Sequence, residues 1–201
     1  EFVIRALSYY AATGFKGCIL IGDSSTGEDF REIRNFKENE NGDLNIMHKY
    51  YPREYSTDKI ALALSQLLPT DYGTFCGDDD FLVPRTLGLC AEFLDHNAGF
   101  VGAQGQSIEF MLDDNNLYYG TIAHTDYYQA LCPRNRKASD RFIEYMRNGA
   151  SIQFSLMRKK ILLQMYSNAD LTPCKYFGGE LLPCSLGVIS GKIAEIDSLQ
   201  T

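Results

Sequence analysis

Three consecutive carboxylates, Asp78, Asp79 and Asp80, stand in the stretch Cys76-Gly77-Asp78-Asp79-Asp80-Phe81. Within a few ångströms of one another such groups repel. In a low-dielectric setting at least one is pushed toward protonation unless a cation sits among them. Mg²⁺ or Mn²⁺ resolves the repulsion. Such an ion takes oxygen ligands from one or two carboxylates and completes its shell with water and substrate phosphates, so the cluster points to a phosphate-bearing substrate. The plain alternative is a solvated acidic turn. Thr74-Phe75-Cys76 before the triplet and Phe81-Leu82-Val83 after it weigh against that alternative, because a solvated loop needs no such anchoring. Asp23 is the second candidate, directly after the apolar run Cys18-Ile19-Leu20-Ile21-Gly22. A carboxylate there can accept hydrogen bonds from a nucleobase or a ribose. Taken alone, an Asx turn with Ser24 and Ser25 explains it better.

These residues need a scaffold, and the hydrophobic pattern indicates one. Phe2, Val3, Leu7 and Tyr10 form a helical stripe, and residues 17–22 read as a buried parallel strand. A charged helix is expected over 28–38 and a second strand over 44–48. Ile60, Leu64, Leu67 and Leu68 then mark a core-facing helix closed by Pro69. Residues 72–76 read as a central strand running into the triplet. Open α/β sheets bind ligands at that end of their strands, and Asp23 is expected at the same sheet edge. Pro84 opens the next helix. Residues 99–121 read as two or three strands with a hairpin turn at 113–116. A helix capped by Ser139 follows, then a strand over 152–156, a helix over 159–166 and a last helix after Gly178-Gly179-Glu180.

Composition bounds the rest. The 201 residues, 45% hydrophobic and 22% charged, suit one folded α/β domain and exclude disordered, collagenous and coiled-coil classes. With 19 Lys and Arg against 26 Asp and Glu the net charge is −7, which makes nucleic acid and anionic membranes poor partners. No stretch is long and apolar enough for a transmembrane segment. Six scattered cysteines with no CxxC pair read as reduced thiols, and Glu1 to Tyr10 do not resemble a signal peptide, so a cytoplasmic protein is expected. The chain opens inside a helical pattern without Met and is read as a piece of a longer protein. His48, His96 and His124 share no motif and are read as surface or capping residues. Gly102 and Gly105 are too little for a phosphate loop. Tyr118, Tyr119, Tyr127 and Tyr128 with Arg134, Arg136 and Lys137 suit either an acceptor-sugar groove or ordinary strand packing and a solvated loop.

Ile19 to Ser25, Lys59-Ile60-Ala61-Leu62-Ala63 and Tyr72 to Pro84 together resemble the nucleotide-sugar glycosyltransferases of family two and its relatives. The resemblance covers the first half of the chain, and Gly178-Gly179-Glu180-Leu181-Leu182 extends it more loosely. The Asp-Asp-Asp-Phe-Leu form is most similar to a small subgroup found in surface-polysaccharide loci and large DNA viruses. The resemblance implies an α/β fold of GT-A type: a single domain over 1–201 with a mixed, mostly parallel central sheet flanked by helices. Residues 1–98 would be the nucleotide-sugar and metal-binding half and 99–201 the acceptor-binding half. It implies a metal-dependent hexosyltransferase that uses a UDP-sugar or dTDP-sugar donor and a glycan or glycoprotein acceptor. Asp23 and Ser24 would meet the base, Lys59 the diphosphate, and Asp78 and Asp79 the nucleotide. Asp78 and Asp80 would hold Mn²⁺ or Mg²⁺. Glu180 would deprotonate the acceptor, with Asp170 as the fallback, although one Glu stands where the family carries an acidic pair. Two other classes remain open: a non-catalytic nucleotide- or glycan-binding module of the same fold, and a nucleotidyltransferase or metal-dependent phosphohydrolase.

Overall fold

A computed structural model describes residues 2–25, 28–39, 43–112, 122–128, 132–148, 151–167 and 177–201. The expected turn at 113–116, the Tyr118–Tyr119 pair, Asp170 and Cys174 lie outside the described residues. The chain is mixed α/β. In order it runs α1 (Phe2–Ala12), β1 (Cys18–Asp23), α2 (Glu28–Asn39), β2 (Asn45–Tyr50), α3 (Thr57–Leu67), β3 (Tyr72–Gly73) and α4 (Pro84–His96). It continues with β4 (Phe100–Leu112), β5 (Ile122–Tyr128), α5 (Ala138–Asn148), β6 (Leu156–Arg158) and α6 (Lys159–Tyr166). A π-helical turn (Phe177–Leu181), α7 (Leu182–Ser190) and β7 (Lys192–Leu199) complete it. Among the described residues no helix is long and apolar enough to cross a membrane.

The strands form two sheets. β1 and β2 pair in parallel, with Ile21 opposite His48 and Asp23 opposite Tyr50. The larger sheet runs β3-β6-β4-β5, and β7 also pairs with β4. Here the expectation of a mostly parallel sheet is corrected: β4–β7 is parallel, but β3–β6, β4–β6 and β4–β5 are antiparallel. One reason is length, since a parallel return from β4 to β5 needs a crossover of a dozen residues or more and residues 113–121 are too few. β3 is also an edge rather than a central strand, with only Tyr72 and Gly73 in the ladder. β1 and β3 belong to different sheets, so strand pairing does not put Asp23 and the triplet on one sheet edge.

Side-chain alternation shows how the layers stack. In β6, Leu156 joins a cluster with Cys90, Leu94, Ala103 and Ala194, whereas Met157 joins Ile161, Leu162, Met165, Val188 and Ile193. In β7, Ile193 and Ala194 divide in the same way, so the larger sheet is packed between α4 and the α6–α7 side. The smaller sheet is covered by α1 and α2, where Ile19, Ile21 and Ile46 meet Leu7, Tyr10, Phe36 and Leu82. α3 lies against β1 at Gly22, where a Cβ would strike Ile60 and come within 3.0 Å of Leu64. Gly105 is needed for a similar reason. A Cβ there would strike the Ser198 carbonyl of β7 and lie 2.8 Å from Thr86, so this glycine serves close strand packing.

Gln200, just past β7, joins these layers. Its Oε1 accepts the Gly105 N–H (2.5 Å) and the Cys90 thiol (3.7 Å), and its Nε2 donates to the Phe154 carbonyl. Its main chain accepts from Val83 N (2.7 Å) and donates to the Gln106 carbonyl (2.7 Å). Replacing it by Ala strands the buried Gly105 N–H, worth about 1–3 kcal/mol, and leaves Thr74 as the remaining donor to the Phe154 carbonyl. Gln200→Ala is therefore expected to lower unfolding stability by about 1–3 kcal/mol, read as a lower urea midpoint at unchanged m-value. A loss well under 1 kcal/mol would show that the amide does not hold the layers together.

Candidate functional site

The triplet occupies a four-residue turn closed by Asp80 N–H donating to the Gly77 carbonyl at 3.4 Å. Gly77 leaves room for the turn's carboxylates. A Cβ on it would lie 2.5 Å from Asp80 Oδ2 and 2.9 Å from Asp79 Oδ1, so the carboxylates of Asp79 and Asp80 both close over this residue. Asp78 and Asp79 are exposed and Asp80 is half-buried. Burial raises the Asp80 pKa, and the charges of Asp79 and Asp78 add to the effect.

The turn is tethered on both flanks. Thr74 Oγ1 donates to the Phe154 carbonyl (2.8 Å), the Leu82 N–H donates to the Tyr10 hydroxyl (3.1 Å), and the Val83 N–H reaches Gln200. Cys76 reaches the surface, but its sulfur is packed by Tyr10 (3.7 Å) and faces the Asp80 carbonyl (3.5 Å). Burial and the three neighbouring carboxylates push its thiol up to about 11, which removes it as a nucleophile at neutral pH. Cys90 behaves as the expected small core residue, fully buried on the inner face of α4, while Cys18 is half-buried.

Asp23 makes the Asx turn that the sequence allowed, with Ser25 N–H donating to Oδ1 at 2.8 Å. It also does something the sequence did not reveal: His48 Nε2 lies 2.8 Å from Asp23 Oδ2, and both side chains are buried. Burial alone would raise the Asp23 pKa, but the hydrogen bonds from Ser25 and His48, with the His48 charge, outweigh it and hold the carboxyl below its ordinary value. The expectation that His48 is a surface or capping residue is thus corrected. No helical or strand periodicity could find this pair, because only the parallel register of β1 and β2 brings together residues 25 positions apart. His96 does cap locally, with Nδ1 2.8 Å from the Glu92 carbonyl. Ser24 is half-buried within the same turn as Asp23.

Lys59 lies in the first turn of α3, behind the N-cap Ser56, with its ammonium 5.8 Å from the Tyr55 ring. Its neighbour Asp58 was missed by sequence reading. This carboxylate is buried, its pKa is raised by that burial, and its Oδ1 would lie 3.1 Å from a Cβ on Gly179. Glu180 follows in the π-helical turn, where Gln153 Nε2 donates to the Gly179 carbonyl at 2.8 Å. Single π-turns are uncommon and recur at functional positions. Asp58 and Glu180 both bear electrostatically on the buried Tyr166, whose ring packs edge-on against Phe75 at 4.7 Å.

α3 touches two of the elements that carry candidates: its Ile60 contacts β1 beside Asp23 and its Asp58 abuts the turn of Glu180. On α6, Tyr166 meets Phe75 in the segment between β3 and the triplet. Tyr127, Arg134, Arg136 and Lys137 are exposed. Among the described residues no group of three or more His, Cys, Asp or Glu side chains is arranged to hold a metal ion, and none of the triplet has a cationic partner. Comparisons with protein-family models and with curated proteins gave no match to this chain, so the functional reading rests on its own residues.

The two carboxylates make opposite predictions for acid stability. The folded-state pKa of Asp80 is raised, so its ionisation costs stability above that pKa, and the cost disappears once pH falls below the unfolded value near 3.9. Asp80→Asn should therefore stabilise the fold at pH 7, with a gain that shrinks toward pH 3. The folded-state pKa of Asp23 is lowered, so its contribution is present above the unfolded value and is lost as pH falls through the folded one. Asp23→Asn should destabilise at pH 7 and progressively less on acidification. Urea melts of both variants at pH 7 and pH 3 check this, and pH-independent effects would remove the electrostatic explanation.

Proposed function

We propose that the chain is a metal-dependent glycosyltransferase of GT-A type that transfers a hexose-type sugar from a UDP- or dTDP-sugar to a glycan hydroxyl. The observation that carries this reading is the tethered turn 77–80. Three carboxylates are held in one short turn, and burial and mutual repulsion push Asp80 toward protonation. This donor set fits a hard divalent ion better than a closed structural site, because such an ion needs only one or two carboxylates and fills its remaining positions with water and phosphate oxygens. Asp80, with Asp78 and Asp79 beside it, would hold Mn²⁺ or Mg²⁺. When bound, the ion supplies positive charge that offsets the charge developing on the departing nucleoside diphosphate.

In this reading the chain's own groups divide the remaining work. Asp23 and Ser24 meet the base, and Lys59 faces the diphosphate. In an inverting displacement the acceptor oxygen bonds to the sugar C1 while the C1–O bond to the diphosphate breaks, and the hydroxyl proton passes to the Glu180 carboxylate. Asp58 packs on Gly179, the residue before Glu180, in a chain with only one Glu in the expected motif. A cytoplasmic location belongs to the same reading.

Two measurements test it. Calorimetric titration with UDP should show binding that requires Mn²⁺ in the parent protein and disappears in Asp80→Ala. Parent protein that binds no UDP in the presence of metal would overturn the donor-site reading. With a UDP-sugar as donor, Glu180→Gln should lower kcat by about 10²- to 10⁴-fold with donor KM nearly unchanged. Collapse of donor binding in that variant would make Glu180 a donor-site or structural residue. UDP binding without transfer would favour the binding module, and release of pyrophosphate or inorganic phosphate would favour a nucleotidyltransferase or a phosphohydrolase.

A further inference from the structure

We propose that His48 is a positioning residue for a nucleobase: by fixing the Asp23 carboxylate as a hydrogen-bond acceptor, it sets a preference for bases whose pairing edge presents a ring N–H. The proposal rests on the donor-binding reading of Asp23 and deepens it.

The geometry is specific. Ile21 stands opposite His48 and Asp23 opposite Tyr50 in the parallel ladder, and the Asp23 main-chain carbonyl accepts from Tyr51 N–H at 2.7 Å, which fixes the end of β1 against β2. From that frame the imidazole reaches Asp23 Oδ2 at 2.8 Å while the Ser25 N–H takes Oδ1 at 2.8 Å. One partner on each oxygen sets the plane of the carboxylate. The side chains of His48 and Asp23 are only 7% and 6% exposed, so water competes little for either group.

Two hydrogen bonds do not exhaust a carboxylate, whose two oxygens offer about four lone-pair positions. The remaining capacity can only accept, because the carboxyl is held in its charged form. A second unmet group lies beside it. The Ser25 hydroxyl is close enough to help lower the Asp23 pKa, yet its Oγ is buried and makes no hydrogen bond of good geometry among the described residues. Buried polar atoms are nearly always satisfied, and an unsatisfied one next to an acceptor-only carboxylate suits a ligand that brings its own polar edge.

Base chemistry then decides between ligands. Uracil and thymine present N3–H to such an acceptor and guanine presents N1–H, whereas cytosine N3 and adenine N1 are themselves acceptors and would face the carboxylate with lone pairs opposed. A histidine at position 48 thus acts on specificity through Asp23 without touching the base.

The test is the ratio of UDP to CDP affinity, measured by calorimetry with Mn²⁺ on the parent protein, His48→Ala, His48→Gln and Asp23→Asn, each checked for folding by circular dichroism. The parent is expected to bind UDP roughly tenfold or more tightly than CDP, the effect of a hydrogen bond to a charged group against an unmatched one. His48→Ala should erase most of that preference, and His48→Gln, whose amide can still donate to Asp23, should restore it. Asp23→Asn keeps the shape but adds an amide donor, so it should shift the ratio toward CDP even if His48→Ala does not fold. Parent binding of UDP with a ratio unchanged across the His48 variants would overturn the role of His48 and leave the donor site standing. So would equal losses for both nucleotides without rescue by Gln. A parent that binds neither nucleotide would overturn the donor-site reading, and this inference with it.

Discussion

The Gln200 side chain occupies the point where the layers of this protein meet. Its amide is 1% exposed and serves β4 through Gly105, α4 through Cys90 and the segment before β6 through Phe154. Its main chain holds Val83, the residue that ends the acidic turn and caps α4. A buried amide is costly unless each of its polar atoms is satisfied, and here that requirement forces four separate segments into register. The position of the triplet is thus determined by a residue about 120 places further along the chain.

Two separate sheets give the molecule its second constraint. β1 and β2 form a small parallel pair, and the larger mixed sheet begins at the two-residue edge strand β3. What joins them is packing: Tyr10, Phe81 and Leu82 share one apolar cluster with Ile19 and Ile21, while α3 lies on β1 and also reaches the cluster around Met165 and Val188 through Ala61. The candidate residues lie along this seam. Asp23 ends β1 and Asp58 and Lys59 open α3; the Asp23 and Asp58 side chains are buried, whereas Asp78 and Asp79 are exposed.

Electrostatics along that seam run in two directions. The Asp23 carboxyl is supplied with donors and kept ionised, whereas Asp58 and Asp80 have no cationic partner among the described residues and are pushed toward protonation. The difference follows from local hydrogen bonding: donors reach Asp23, while burial acts on the other two. The same burial makes Cys76 and Tyr166 poor acids, so the carboxylates dominate the chemistry of the region.

Much of this was legible in the residues. The stripes at Phe2–Tyr10 and Ile60–Leu68, the apolar run at 18–22 and Pro84 before Leu87 and Cys90 each predicted an element that exists, because local periodicity reports which face must be buried. The triplet and Asp23 could be singled out because their charge and spacing are local properties. Other features depended on contacts between distant segments. β7 was missed although Ile193, Ala194 and Ile196 give it apolar character, since its place beside β4 depends on close approach at Gly105. The antiparallel majority of the larger sheet and the edge position of β3 are properties of pairing, which no single segment encodes. The same is true of His48 on Asp23 and Asp58 beside Glu180: side-chain type is written in the sequence, but partnership is set by strand register and helix packing. The sequence alone determined most of the helices, the first two strands and the acidic chemistry; tertiary structure decided the pairing of the remaining strands and which charges meet, because burial and hydrogen bonding are properties of the assembled fold.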